Sequence, residues 1–485
     1  MNATRYLTVL GVAILACVPL TLAQEQAHDE HAHDGHAHSE HSHAIAWDKE
    51  TLQAFSTLPI QDGGRVKPLS TYAGFKLLKL NGRRECRDLD GKKLTPMAWF
   101  LDVLLNPEVA NNYRVFLVQS SEVLEAIGVS HADRKKRDRY SYEELLPGRE
   151  KLFELARSYN GIEAKDQTPI QSQIVNLATN IFEYESVSHY ADFARFSLSV
   201  PADSPLAAAL PDTSFSGVLA KAETLRVLVV AMDRDLDAVL SGMPPEKAEE
   251  LKAILPGGAE GISEEVRKKN LDELQQLFNQ LDAMARNADG LALFPPAKDA
   301  KDQSHWYAAG ELVETVFGQG VDAAAEELKL VSVFEQLVKQ RDNPEQFKAH
   351  LASFHESVTA KATARGEYAK IPIEVTFYRA DFFYNSLLLF ILAFIVIAVS
   401  WLVPYHRLMS RLYPLVLVPP TVLLIAGIVF RCIIRGRPPV STLYETILFI
   451  TAVAVVVTIF IEYINRHKIA LSVGALLGMM GMFLA

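Results

Sequence analysis

Two kinds of hydrophobic pattern divide this chain. Between residues 47 and 369, apolar positions recur three and four apart among charged ones, and this predicts amphipathic helices over 143–159, 170–196, 215–240, 263–284 and 323–340. Proline-bearing stretches at 199–205 and 293–299 are expected as breaks between them. From Phe382 onward the spacing gives way to near-continuous apolar runs at 382–403, 412–430, 443–464 and 469–485. Each is predicted as a membrane-spanning helix. The first holds 22 residues without a formal charge, about 33 Å as a helix and enough to cross the hydrocarbon. Pro414, Pro419 and Pro420 are expected to kink or delay the second. The fourth run stops without a polar flank, so the chain is expected to continue past Ala485.

A shorter apolar run sits at the beginning. Arg5, then Leu7 to Leu20, then Thr21-Leu22-Ala23 follow the order of a secretory signal cleaved before Gln24, at 1–23. Cys17 after Ile14-Leu15-Ala16 loosely suggests a lipidation site instead, although Leu15 is bulky for one. On either reading the chain from residue 24 leaves the cytoplasm. Residues 24–46 then form a His-rich tail with no core-forming pattern. His28, His31, His33, His36, His38, His41 and His43 alternate there with small and acidic residues. Near-alternate imidazoles can wrap a divalent metal such as Zn, Cu or Ni, or the tail is simply a solvated segment. The expected organisation is therefore mainly α: a helical extracytoplasmic domain at 47–369, a neck at 370–381 and a helical transmembrane bundle at 382–485.

Composition removes several function classes. The formal net charge of −10 comes with no basic stripe, so nucleic acid is not expected as a partner. Beyond the signal the cysteines are Cys86 and Cys432, too few and too distant to imply a disulfide framework. There is no Cys-x-x-Cys-His, so the chain does not itself attach haem as a c-type cytochrome. His189, His305, His350 and His355 are isolated, and the last two are five apart, off the spacing of a helical ligand pair. Leu-Pro-Gly-Gly-Ala-Glu-Gly at 255–261 lacks the Gly-Lys-Ser/Thr ending of a phosphate loop and is expected as a turn.

The chemistry lies between the second and third apolar runs, in RGRPPVSTLYE at 435–445. If the preceding domain is outside, the loop 431–442 is outside too, while His406, Arg407, Arg411, Arg466 and Lys468 face the cytoplasm. Arg431, Arg435 and Arg437 then stand on the side where basic residues are depleted. A bound anion would explain them. Arg435 and Arg437 offer planar forks suited to carboxylates, Pro438-Pro439 stiffens their backbone, and Tyr444 and Glu445 open the next helix, where Glu445 can orient an arginine. An amphipathic dicarboxylate such as haem would fit. Lipid headgroups beside an interfacial tyrosine are the other reading of the same residues.

RGRPPVSTLYETILF closely resembles the Arg-Gly-x-x-Pro-Val-(Ser/Thr)-x-x-Tyr-Glu segment of the cytochrome c assembly protein family, specifically the CcsA/ResC-type subunit of the system II cytochrome c haem synthase. LPIQDGGRVKPLSTYAGFKLL at 58–78 is similar to a second segment found in extended members. Lys370 to Arg379 is similar to a third. The helical middle is unmatched. The family's tryptophan-rich outer loop, flanked by histidines that ligate haem iron, is not among these residues: Trp47, Trp99, Trp306 and Trp401 are isolated, and His406 and His467 fall on the expected cytoplasmic side.

The resemblance implies an amino-terminal portion of a multi-pass protein of the bacterial cytoplasmic membrane, carrying b-type haem in transit to the outer face. It further implies a partner synthase subunit of the ResB type, apocytochrome c as acceptor, and a part in a haem lyase. Within it Arg435, Arg437, Tyr444 and Glu445 are the expected haem-contacting residues. Two other functions remain open on the residues alone: a divalent-metal transporter or metal-binding membrane protein, argued from the His tract, and a non-catalytic periplasmic scaffold.

Overall fold

The computed structural model describes residues 47–130, 135–202, 204–233, 264–297, 304–402, 415–465 and 469–485. The signal, the histidines from His28 to His43, the 255–261 stretch and the loops holding His406 and His467 lie outside them. The chain is mainly helical and divides into two compact units, one spanning 41–372 and the other holding Ile373–Ala485.

In the first unit, the five expected segments are helical as far as they are described, but three of them are broken in two and the ends are set by local chemistry. The 143–159 pattern is split into Tyr142–Leu145 and Arg149–Tyr159, because Pro147-Gly148 forces a 3-10 turn. The 170–196 pattern begins at Pro169 under a Thr168/Gln171 capping box, ends at Ser188 and resumes as the short Asp192–Arg195 helix. Phe215–Ala220 and Ala222–Asp233 replace one long helix from 215. Glu264–Asn287 and Ala325–Lys339 match the remaining two closely. The core they bury centres on Phe334, which is 1% exposed and lies within 5.4–6.4 Å of the rings of Tyr190, Phe193, Phe294 and Phe354.

The 58–78 stretch folds as a hairpin leading into a helix. Pro59–Asp62 pairs antiparallel with Arg65–Pro68, Pro59 opposite Pro68. Gly63 and Gly64 turn the chain with φ of 59° and 76°, the left-handed pair that a two-residue hairpin loop requires. Helix Leu69–Asn81 follows and ends at Gly82 in the same region of φ, 69°. Gln61 then stitches the hairpin to a distant segment: its N–H donates to the Ala292 carbonyl at 3.1 Å, and its side-chain oxygen accepts from the Trp306 N–H at 2.8 Å.

Among its described residues the second unit holds the end of helix Ile371–Ala380 and four apolar helices, Phe382–Leu402, Val418–Arg435, Leu443–Asn465 and Ile469–Leu484. Three are long and apolar enough to cross a membrane, the first continuing the helix that starts at Ile371; Ile469–Leu484 is a shorter apolar helix of 16 residues. Pro419 and Pro420 sit in the first turn of Val418–Arg435, where the missing N–H groups have no helical partner anyway. They delay that helix past the expected 412. Its other end runs on to Arg435 rather than stopping at Phe430. Outward-facing Leu392, Ile395, Val429, Ile450, Val457 and Phe460 are 50% exposed or more apart from Val457 at 48%, an apolar exterior suited to lipid.

Inside the bundle, small residues allow close approach. A methyl group on Gly474 would clash with Thr458 Oγ1, on Gly478 with the Phe390 ring, and on Gly481 with Thr451 Oγ1. These glycines recur four and three apart on Ile469–Leu484, which is the small-residue face that tight helix pairs use in membranes.

Candidate functional site

Gly436, at φ 66°, caps Val418–Arg435 and turns the backbone away after Arg435. The next helix starts at Leu443, and Thr442 Oγ1 accepts from the Glu445 N–H at 3.3 Å, half of a capping box. The Glu445 side chain does not complete that box. It turns to the preceding helix, where Arg431 Nε donates to its Oε1 at 2.9 Å. Arg437 Nη2 lies 3.6 Å from the same oxygen, an ion pair without a hydrogen bond. The Arg431 guanidinium also covers the Tyr444 ring at 4.9 Å, and that ring meets Phe383 edge-on at 6.2 Å.

The four predicted site residues therefore separate into two groups. Glu445 and Tyr444 work inward: Glu445 is 3% exposed and its Oε2 has no hydrogen-bond partner among the described residues. Arg437 and Arg435 are exposed on the connection and at the helix end. Arg431 is the residue that sequence reasoning left out of the site, having been read as loop; it lies one turn inside the helix and is the partner that Glu445 takes. Its signal was available in Thr442-Leu-Tyr-Glu445, a capping-box pattern that fixes where the Glu445 side chain starts. Two guanidiniums, Arg431 and Arg437, face the single Glu445 carboxylate, and Arg435 stands exposed at the helix end, so the connection carries more guanidinium than Glu445 can pair. Such a surplus attracts anions with two acceptor groups, and Arg437, held only loosely, has N–H donors to give.

Three described histidines of the first unit take other partners. His189 Nδ1 lies 2.9 Å from Asp192, His305 Nε2 lies 2.9 Å from Glu311, and His355 Nε2 lies 2.8 Å from the Thr57 hydroxyl. Among the described residues no three His, Cys, Asp or Glu side chains come together as a metal site. Cys86 and Cys432 are free thiols, and burial pushes Cys86 up to about 12, which makes it unreactive.

One buried carboxyl in that unit has a measurable consequence. Asp102 is 2% exposed and accepts from Trp47 Nε1 at 2.7 Å and from the Tyr113 hydroxyl at 2.9 Å. Burial outweighs both donors and raises its carboxyl to about 6. The folded state thus holds this proton more tightly than the unfolded chain. The stabilisation is complete below the ordinary carboxylate range and is lost as pH rises through about 6, amounting to roughly 3 kcal/mol. Urea unfolding of the wild type and Asp102→Asn at several pH values between 4 and 7 is expected to show this part of the slope in the wild type alone. Parallel pH dependence in the two proteins would refute it.

Compared with models of protein families and with curated proteins, the chain matches none.

Proposed function

We propose that this protein handles haem at the outer face of a bacterial cytoplasmic membrane, as one subunit of the machinery that attaches haem to apocytochrome c. The observation that supports the reading most is the cluster of arginines at the turn between two apolar helices, with Arg435 and Arg437 exposed beside a half-buried Arg431 paired to the buried Glu445. Haem is the cargo in this reading. Its two propionates match a pair of guanidinium forks, and its apolar ring suits the lipid-facing surface below them. Glu445 and Tyr444 are positioning residues that hold Arg431 and the helix end, so that the outer arginines project from a fixed base. The described residues of the bundle include no histidine, and Cys432 is half-buried and packed against the bundle's core, so they fit the propionates and supply no imidazole for the iron. The partner subunit, the acceptor apocytochrome and the extracytoplasmic placement of the 41–372 unit belong to the same proposal and rest on the likeness of the 435–445 segment.

Protein purified from haem-replete cells is expected to give a pyridine haemochrome signal. Replacing Arg435 and Arg437 together by glutamine is expected to lower the haem recovered by about tenfold or more, because each guanidinium–carboxylate contact contributes about 1.5–3 kcal/mol. The Arg431–Glu445 pair stays intact in that variant, so its thermal unfolding in detergent serves as the control for folding. Absence of haem from the wild type would overturn the proposal. Unchanged haem with lost binding to phosphatidylglycerol vesicles would assign the arginines to lipid headgroups.

A further inference from the structure

Two short basic runs, at 83–84 and 135–139, are far apart in the sequence and adjacent in the fold. Helix Leu69–Asn81 stops at Gly82, and Arg83 and Arg84 follow it. Strand Asp138–Tyr140 pairs antiparallel with Phe116–Val118, Leu117 opposite Arg139. Two contacts clamp that pair of strands to the helix end. The Arg139 guanidinium donates to the Asn81 carbonyl at 2.9 Å and also to the Asn81 side-chain oxygen, and a methyl group on Gly82 would meet the Leu117 side chain at 3.0 Å. Arg137 shares the wall of one cleft with Lys79 and Gly82, and Lys135, Lys136 and Arg137 are all exposed.

Glu85, Glu183 and Asp138, the carboxylates beside these runs, are occupied. Glu85 lies 3.3 Å from Lys93, Glu183 holds Lys79 at 2.6 Å and Lys76 at 2.9 Å, and Asp138 accepts from the Arg139 N–H at 2.8 Å. Among the described residues Arg83, Lys135, Lys136 and Arg137 have no carboxylate partner. Apolar side chains stand beside these cations. Phe75, Leu78 and Lys79 form the exposed edge of helix Leu69–Asn81 at three- and four-residue spacing, with Phe75 44% and Leu78 36% exposed. The Arg84 guanidinium covers the Phe75 ring, 4.8 Å from its centre.

Exposed apolar side chains on the same edge as unpaired cations suit a membrane interface, where the apolar groups enter the headgroup layer and the cations take its phosphates. The sign of the charge selects anionic lipid. The cations stand on separate elements at the ends of long side chains, which suits many mobile headgroups better than one fixed pair of carboxylates. A bilayer also comes with the chain itself. Three of its helices are long and apolar enough to cross a membrane, so lipid is held at high effective concentration, whereas an acidic protein partner would have to be recruited.

We propose that this edge of the 41–372 unit docks on an anionic lipid surface, Phe75 and Leu78 entering the headgroup layer and Arg83, Lys135, Lys136 and Arg137 binding lipid phosphates. The edge shares no residue with the arginine cluster at 431–437, so it stands or falls apart from the haem reading.

The test uses the full chain in nanodiscs of phosphatidylcholine alone or mixed with phosphatidylglycerol. Leu78→Cys in a Cys432→Ser background takes an environment-sensitive dye at the apolar edge, and Cys86, being buried, stays unlabelled. The dye is expected to shift to shorter-wavelength emission only in the anionic nanodiscs and to return in high salt. Each cation beside an anionic surface favours the docked state by roughly fivefold, so replacing Arg83, Lys135, Lys136 and Arg137 together by glutamine is expected to lower the ratio of docked to free by about a hundredfold or more and to abolish the shift. Those four side chains are exposed, so thermal unfolding of the variant is expected to match that of its parent. The same emission in both kinds of nanodisc, or a shift that survives the glutamine variant, would overturn the proposal. A shift on adding polyglutamate to phosphatidylcholine nanodiscs, with none from phosphatidylglycerol, would assign the edge to an acidic protein partner and overturn it as well.

Discussion

Glu445→Gln is expected to destabilise the membrane bundle by roughly 2–3 kcal/mol, less than the loss from breaking a fully buried ion pair, because the charge left behind keeps partial access to solvent. Arg431 is the charge that stays. Its side chain is 22% exposed, its Nε is bonded to Glu445 at 2.9 Å, and its guanidinium is stacked on Tyr444. A glutamine can still accept the hydrogen bond, so the variant isolates the lost counter-charge. Unfolding of the protein in detergent, followed by circular dichroism, reads the effect. The paired change Arg431→Met with Glu445→Gln is expected to recover part of the loss, because neither charge is then left in the apolar layer. A neutral single variant, or a double variant no better than the single, would show that the pair is not buried in the membrane-embedded protein.

The second large effect is expected at Phe334. Its ring is within 6.4 Å of four other aromatic rings, so Phe334→Ala opens a cavity that helices from both sides cannot easily close. The expected loss is about 3–5 kcal/mol, and Phe334→Leu, which keeps most of the volume, is expected to lose roughly 1.5 kcal/mol or less. Near-ultraviolet circular dichroism during urea unfolding of the full chain separates the two. Similar losses for both would mean that shape at this position matters more than volume.

The membrane helices were the most legible part of the sequence because a continuous apolar run needs no periodicity to be recognised. Their ends were less legible. Arginine at 431 and 435 was read as loop, yet cations favour the last turn of a helix, and the turn falls at Gly436, where φ is 66°. In the first unit, helix Pro344–Ala364 went unread although Phe347, Leu351, Phe354, Val358 and Ala362 mark its buried face at three- and four-residue spacing. The hairpin at 59–68 was hidden for a different reason. Its strands are four residues long with proline at both outer ends, too short for alternation to show, and only Asp62-Gly63-Gly64 announced a turn.

The Arg431–Glu445 pair also bears on how the protein enters the bilayer. An arginine inside a single apolar helix disfavours its transfer from the translocon by about 2.5–3.5 kcal/mol at the centre of the segment, and less toward its ends. Helix Val418–Arg435 carries Arg431 one turn from its end, and helix Leu443–Asn465 carries Glu445 in its first turn. Only seven residues, Gly436 to Thr442, separate the two helices. Emerging in quick succession, they can cancel each other's charge before either meets lipid, so insertion of the two helices as one hairpin is expected to be favoured over insertion one at a time.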